Sequence, residues 1–414
     1  MGILSRHLRL LFLVTVLVVA AFSTGLEVLF FLTYLTLALG VGAWIYARRG
    51  LKGVRADYRV VNPRTHVGEV LQAVYRVENH DRFPKPWIEC WNESSMAAGL
   101  PGRVVGIRAR STRQWLAKVT ATRRGSYRLG ALHLRTGDPF GLFSTDMVVG
   151  QPTSVVVFPK VVPLPHWRLP PSPIDGTTPA RRRHEAAAAP LVSSIRPYVH
   201  GDAINRIHWL SSVRHGELHV KELDLEQAAD LWIVLDLDRG VHAGLGPEAS
   251  VETAVTIAAS VALRTLADNR SVAMTASARR VQVHQPDRGQ RVEQKLLHLL
   301  ANVQADGTTP LAEVLAATLP QLRRGMTLCV VTGSTDRAWV RATSTLRRRG
   351  VAALAIVLDR ASFIGVEPDE HARAELAAVR HALAEYDIAH RIVRHGDDIA
   401  EAIGARGMRG KVRA

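Results

Sequence analysis

The stretch Leu231-Trp232-Ile233-Val234-Leu235, followed by Asp236, decides the fold of the C-terminal half of the chain. A run of five apolar residues is typical of a strand that is buried on both faces of a sheet. Beyond it, segments with helical periodicity, of which Ala249 to Asp268 is the first, alternate with further short apolar runs. This alternation predicts a doubly wound α/β sheet with a ligand crevice at the carboxyl ends of its strands.

The sequence before this strand has a different pattern. Residues 57–162 contain short alternating segments, such as Val70 to Val77 and Trp115 to Thr122, with turn residues between them. Such spacing predicts a β-sandwich. Residues 163–195 contain seven prolines, and a proline-rich stretch of this length predicts a linker between domains.

Two apolar runs lie at the N-terminus. Leu10 to Leu26 and Val28 to Ala47 are 17 and 20 residues long, which is enough for each to cross a membrane as a helix. Ser23-Thr24-Gly25 between them predicts a tight turn, so the two helices would form a hairpin. The alternative is a signal peptide over Met1 to Phe22, after which the second run would still anchor the chain.

Basic residues flank both ends of this hairpin, at Arg6, Arg9, Arg48 and Arg49. The positive-inside rule then predicts a two-pass protein of the cell membrane with both termini and the remaining domains in the cytoplasm. Of the net charge of +16, residues 1–162 carry +12, which suits a domain close to an anionic leaflet. The arginine runs at 181–183 and 347–349 lack interleaved aromatic residues, so we expect no nucleic-acid partner.

The sequence therefore predicts a multi-domain protein. Its parts are a transmembrane helical hairpin (1–56), a β-sandwich domain (57–162), a proline-rich linker (163–195), a further segment (196–229) and a doubly wound α/β domain (230–414). With two cysteines in 414 residues, the chain has neither a disulfide framework nor a cysteine-ligated cluster.

Nucleotide and hydrolase motifs are absent from the sequence. There is no G-x-x-x-x-G-K-[ST], no H-E-x-x-H and no G-x-S-x-G, and no G-x-G-x-x-G follows a strand. We therefore expect a protein that is not an enzyme.

Polar residues follow several of the predicted strands. Asp236 and Asp238 end the first, Thr309 opens a later helix, and Thr332 ends another strand. Carboxylate and hydroxyl oxygens at one rim of a sheet are suitable ligands for Mg²⁺. Asp236, Asp238 and Thr309 are thus the candidate metal ligands, and a rim that only packs and caps helices is the alternative.

These residues resemble the metal-ion-dependent adhesion site of the von Willebrand factor A fold. Asp236-Leu237-Asp238-Arg239-Gly240 is similar to its D-x-S-x-S motif, and Gly307 to Leu311 is similar to its threonine loop. Asp238 and Gly240 replace the two serines, and Thr332-Gly333 lacks the usual carboxylate. The resemblance implies a von Willebrand factor A-like domain with an altered, weakened magnesium site.

A second resemblance covers the segment upstream. It resembles the signature of the DUF58 (domain of unknown function 58) family, and Gly137 to Phe143 resembles that family's motif at the end of the sandwich. The matching signature residues are Arg196, Tyr198, Gly201, Asp202, Arg206, Trp209, Arg214 and Lys221. Their arginines could hold carboxylate or phosphate groups of a partner, or they could form an internal clamp with the tryptophan.

The DUF58 resemblance implies a function. Members of the family resemble accessory proteins of MoxR-type AAA+ ATPases, so we expect a membrane-anchored adaptor that presents Asp236, Asp238 and Thr309 to a cytoplasmic ATPase. Two other functions remain open. One is a scaffold for cell-envelope organisation that binds through the β-sandwich, and the other is a metal-dependent hydrolase that uses Asp236 and Asp238.

Overall fold

The computed structural model describes residues 2–170, 192–199, 207–223, 231–365 and 369–404. The chain forms two compact units, Met1–Phe158 and Pro159–Ala414. It is a multi-domain protein of mixed α and β structure, as the sequence predicts. The division into five parts stays a prediction.

The first unit begins with two helices, α1 (Gly2–Thr24) and α2 (Glu27–Gly50). Gly25 between them has a φ of +70°, a conformation that glycine adopts without strain. The rings of Phe22 and Phe30 meet edge to face with centroids 5.3 Å apart. Helix α2 is long and apolar enough to cross a membrane, which associates the chain with membranes, and Leu11–Thr24 of α1 is a shorter apolar segment.

Two sheets complete the first unit. Their strands are β1 (Val54–Val60), β2 (Arg64–His66), β3 (Val70–Asn79), β4 (Lys85–Ser94), β5 (Arg103–Ile107), β6 (Ser111–Thr120), β7 (Gly125–Gly137), β8 (Ser144–Val149) and β9 (Thr153–Phe158). One sheet has the order β1-β3-β6, and the other has the order β2-β9-β7-β4-β5 with β8 also paired to β7. Both contribute to one apolar core, Leu71 and Tyr75 from the first and Ile88 and Leu134 from the second.

The second unit is built on a six-stranded sheet. Its strands are β12 (Leu231–Leu235), β13 (Val272–Ser277), β14 (Val281–Asp287), β15 (Thr327–Thr332), β16 (Ala352–Leu358) and β17 (Ala389–Val393). Their order is β14-β13-β12-β15-β16-β17, and all pairs are parallel except β13 with β14. The helices are α4 (Ser250–Ala267), α5 (Gln290–Asn302), α6 (Leu311–Thr318), α7 (Ala338–Arg348), α8 (Glu370–Glu385) and α9 (Ile399–Ile403).

The central strand β12 is buried on both faces, as its sequence predicts. Successive side chains of a strand point to opposite faces, so Ile233 and Leu235 enter one apolar core while Trp232 and Val234 enter another. Helix α4 is also long and apolar enough to cross a membrane, but most of it is buried in the first of these cores. It is therefore a core helix of the sheet.

The predicted linker, residues 163–195, lies at the start of the second unit and differs from a simple linker. Leu164 and Trp167 are buried in a core of the second unit, because burial removes their large apolar side chains from water. Strand β10 (Val192–Pro197) starts inside the predicted linker and pairs antiparallel with β11 (His219–Leu223), on either side of helix α3 (Trp209–His215) in the sequence. The linker residues 171–191 lie outside the described residues.

Candidate functional site

The rim of the six-stranded sheet brings Asp236 and Thr332 together. Asp236 follows β12 and is completely buried, and Thr332 is the last residue of the neighbouring strand β15. The Thr332 hydroxyl donates a 2.6 Å hydrogen bond to Oδ2 of Asp236 and accepts one of 2.8 Å from the backbone N–H of Ser334. The two strand ends are thus joined through side chains as well as through the ladder.

The other carboxylate oxygen of Asp236 is also engaged. Its Oδ1 accepts a 3.2 Å hydrogen bond from the backbone N–H of Asp238 and lies 3.4 Å from the Ser277 hydroxyl. Burial raises the pKa of Asp236, and the hydrogen bonds from Thr332 and Asp238 oppose that rise. The carboxyl group therefore acts as an internal junction for the ends of three strands, β12, β13 and β15.

His242 connects this junction to helix α4. Its Nε2 lies 2.8 Å from the backbone oxygen of Asp236, and its Nδ1 lies 3.0 Å from the hydroxyl of Ser250. The same hydroxyl accepts a hydrogen bond from the backbone N–H of Ala243. The imidazole thereby ties the end of β12 to the first residue of the helix that comes after it.

Close backbone packing brings the threonine loop to the same rim. Asp238 and Gly307 form a parallel bridge, with hydrogen bonds of 3.0 Å from Arg239 N to Gly307 O and from Gly307 N to Leu237 O. A Cβ on Gly307 would overlap the backbone oxygen of Ser277, so glycine is required here. Thr309, two residues further on, is half-buried. The bridge therefore brings the threonine loop, to which Thr309 belongs, next to Asp238.

The donor set does not by itself fit a magnesium ion. Both carboxylate oxygens of Asp236 already accept hydrogen bonds from the protein, and Oδ1 of Asp238 accepts one of 2.7 Å from Gly240 N. Within the described residues, no three His, Cys, Asp or Glu side chains are grouped so that they could hold a metal ion. Magnesium binding at this rim stays a prediction.

One expectation for this rim is wrong. Asp236 has no exposed surface, so it cannot be presented to a partner, because the end of β12 is covered by its neighbours. Ser277 and His242 also belong to the rim, although the sequence does not predict them there. Ser277 could have been found as the polar last residue of β13, whereas nothing in the local sequence around His242 indicates that its ring reaches back to Asp236.

The signature segment forms a small element of its own. In the β10–β11 pair, Arg196 is in register with Val220 and Lys221 with Ile195. The backbone N–H of Tyr198 donates a 2.7 Å hydrogen bond to the oxygen of Leu218, which extends this pairing. The signature residues Gly201, Asp202 and Arg206 lie outside the described residues.

Helix α3 is fixed to this pair by one buried side chain. The Ser212 hydroxyl donates to the backbone oxygen of His208 and accepts a 2.9 Å hydrogen bond from His219 N. His208 caps the start of the helix, where its Nδ1 accepts from the backbone N–H of Ser211. Gly216, with a φ of +72°, ends it in the left-handed conformation.

The outer side of α3 is apolar and solvent-exposed. The exposed fractions are 63% for Trp209, 75% for Leu210 and 82% for Val213, and Leu218 beyond the helix is 46% exposed. We call Trp209, Leu210 and Val213 the α3 patch. Arg214 at the end of the helix is exposed beside it.

These features describe a protein with a helix that is long and apolar enough to cross a membrane, in which a short signature element precedes a mixed, mostly parallel sheet. Residues 194–363 match the family model described as "Protein of unknown function DUF58". The matched residues include helix α3 and the rim.

Other similarities are more distant. The chain is 23% identical over 240 residues to the uncharacterized protein YeaD of Bacillus subtilis, a match that covers 55% of this chain and 59% of that relative's length. A crystal structure of the conserved hypothetical protein BatB from Bacteroides thetaiotaomicron overlaps 42% of this chain and 95% of its own, with 13% identity and a TM-score of 0.31. A CARDB domain from Pyrococcus furiosus overlaps 25% of this chain and 91% of its own, with 14% identity and a TM-score of 0.19. Scores this low do not support a functional comparison.

Proposed function

We propose that this chain is a membrane-anchored, non-catalytic adaptor that binds a MoxR-type AAA+ ATPase through the α3 patch. The observation that carries the proposal is the exposure of Trp209, Leu210 and Val213 on one short helix within the family signature. Large apolar side chains grouped on a surface and rimmed by polar residues are typical of protein-interaction sites. Tryptophan and arginine are also the residue types that most often dominate binding energy at such sites.

The geometry of α3 favours binding over an internal clamp. A clamp would need the indole of Trp209 to pack inward, whereas its exposed fraction is 63%. The helix has only seven residues and is held in place by Ser212 and His208 rather than by its apolar side chains. Those apolar side chains are therefore available to a partner.

In the proposal, the helical hairpin and the two units anchor and orient the α3 patch. The hairpin of α1 and α2 anchors the protein, and Arg48 and Arg49 at the end of α2 favour a cytoplasmic location for the domains after it. In this proposal the two sheets of the first unit form a β-sandwich, and the second unit is a von Willebrand factor A-like domain. The hydrogen bonds at the rim stabilise the second unit. Since Asp236 is buried and hydrogen-bonded, the same rim offers no accessible carboxylate pair for a hydrolytic metal.

The proposal is tested by capture of the partner from the native membrane. Tagged full-length protein is crosslinked mildly, purified and analysed by mass spectrometry, with the wild type beside Val213→Asp. The matched control is Leu245→Asp, which places the same charge on a loop residue that is 96% exposed and outside the α3 patch. We expect an AAA+ ATPase with the wild type and the control, and its loss with Val213→Asp.

Two results would contradict the proposal. The first is that no AAA+ ATPase is enriched with the wild type. The second is that Val213→Asp and Leu245→Asp retain it equally. If deletion of the β-sandwich then removes envelope proteins from the purified material, the scaffold function replaces the adaptor.

A further inference from the structure

The end of helix α2 is bound firmly to the sheet that lies after it in the chain. Thr145 Oγ1 donates a 2.9 Å hydrogen bond to the backbone oxygen of Ala47, and Lys85 Nζ donates one of 2.9 Å to the oxygen of Arg49. These carbonyls belong to the last turn of the helix, where intrahelical partners are lacking. Gly50 packs so closely on Thr136 that a Cβ at this position would overlap the threonine methyl group.

A cavity opens beside this junction. It has a volume of about 480 Å³ and lies between the last turns of α2 and the segment Asp81–Pro86, which comprises the loop before β4 and the first two residues of that strand. The helix contributes Gly42, Ile45, Tyr46 and Arg49 to its wall. Gly42 precedes Gly50 by eight residues, which corresponds to about 12 Å along a helix.

The position of the cavity along α2 indicates that its occupant comes from the bilayer. Gly42 and Ile45 belong to the apolar run that ends at Ala47, so in a membrane they lie close to the level at which acyl chains meet headgroups. Phe83 and Tyr46 both line the cavity, and Phe83 is 54% exposed. Aromatic residues are enriched at this level of a bilayer.

The polar end of the cavity is basic. Arg49 and Lys85 line it together with a single acidic residue, Asp81, whose Oδ2 lies 3.0 Å from Lys85 Nζ. The lining therefore carries one net positive charge. Arg82 is exposed next to it, as is Lys52 just after the helix.

We propose that this cavity binds one anionic phospholipid, with the phosphate at Arg49 and the first acyl carbons against Gly42 and Ile45. The cavity has an apolar wall along the membrane helix and basic residues at its end. These two parts are complementary to the acyl chain and the negative headgroup of an amphiphile. A free phosphate would use only the basic end and leave the apolar wall exposed to water. This site is independent of the α3 patch and of the adaptor function.

The two ends of the cavity can be altered separately. Arg49→Gln removes the charge, and Arg48→Gln is its matched control, since the Arg48 guanidinium lies over the Trp44 ring at 5.2 Å from its centroid and does not line the cavity. Gly42→Leu fills the apolar end, because a Cβ at Gly42 would meet nothing within 4 Å. Gly42→Ala adds one methyl group in the same open space and is the control for the leucine variant.

The test is native mass spectrometry of the full-length protein with phosphatidylglycerol or phosphatidylcholine of the same chain length. We expect one phosphatidylglycerol to be retained in preference to phosphatidylcholine. Arg49→Gln should weaken this binding about fivefold, the equivalent of roughly 1 kcal/mol for one basic residue near an anionic lipid. Gly42→Leu should weaken it at least as much, and both control variants should bind like the wild type.

Three outcomes would overturn the proposal. Equal retention of the two lipids is one, and identical behaviour of Arg49→Gln and Arg48→Gln is another. The third is displacement of the lipid by the water-soluble headgroup glycerophosphoglycerol at an equal concentration, which would indicate a phosphate site without a lipid wall. If the leucine variant does not fold, as judged by its thermal midpoint, the arginine pair alone decides the test.

Discussion

The hydroxyl of Thr332 lies 2.6 Å from Oδ2 of Asp236 and joins the ends of two neighbouring parallel strands. In the sequence these residues are 96 positions apart. Both oxygens of this carboxyl group, which the sequence also predicts as a metal ligand, accept hydrogen bonds from hydroxyl and backbone donors inside the protein. This arrangement makes Asp236 a determinant of stability, and its consequences can be measured.

Replacing Thr332 with valine should destabilise the second unit. The change keeps the shape of the side chain but removes the donor to a fully buried carboxyl group, and an unsatisfied buried polar group costs about 1–3 kcal/mol. Chemical denaturation of the full-length protein measures the loss. Thr335→Val is the control, because the Thr335 hydroxyl bonds to the exposed Glu375 at the surface. Equal stability of the two variants would contradict the role of the Thr332–Asp236 bond.

Magnesium should leave the stability of the protein unchanged. If Asp236, Asp238 and Thr309 held the ion, a dissociation constant a hundredfold below the magnesium concentration would stabilise the fold by about 2.7 kcal/mol. We expect the thermal midpoint in millimolar magnesium chloride to equal that in EDTA. If magnesium raised the thermal midpoint of the wild type but not that of Asp236→Ala, this result would support a metal site at the rim.

Substitutions at the rim should affect stability, whereas substitutions in the α3 patch should affect capture of the partner. Asp236→Ala removes a buried hydrogen-bonded group and should lower the thermal midpoint, whereas Trp209→Ala changes an exposed side chain and should not. At a temperature where both variants are folded, Trp209→Ala should lose the ATPase and Asp236→Ala should retain it. Loss of capture in folded Asp236→Ala with full capture in Trp209→Ala would favour a rim that contacts the partner.

Acidification should loosen the junction between α2 and the sheet. The hydrogen bond from Lys85 holds the pKa of Asp81 below its ordinary value of 3.8. A carboxyl group with a lowered pKa stabilises the fold above its unfolded-state pKa and loses that contribution as the pH falls through its folded-state pKa. Asp81→Asn should therefore lower the thermal midpoint at pH 7, and its difference from the wild type should shrink progressively as the pH falls below 3.8. A pH-independent difference between variant and wild type would contradict this role.

Much of the fold could be predicted because it depends on local patterns. The continuous apolar run of β12 and the helical periodicity of α4 identify both elements within one or two residues of their observed ends. The start of β10 and the burial of Trp167 could not be predicted, since both depend on partners distant in the sequence. For the candidate site, strand-end reasoning finds Asp236 and Thr332, but not that Asp236 is sealed from solvent.

The attachment of α2 to the sheet has a mechanical consequence for the first unit. With its final carbonyls bonded to Thr145 and Lys85, the helix cannot swivel at its base without turning the sheet with it. Strand β7 reaches this base through Thr136 and has 13 residues, so a helix tilt of about 10° would swing its far end through up to roughly 7 Å. Bilayer thickness influences the tilt of membrane helices. A change in bilayer thickness would therefore change the orientation of the attached sheet.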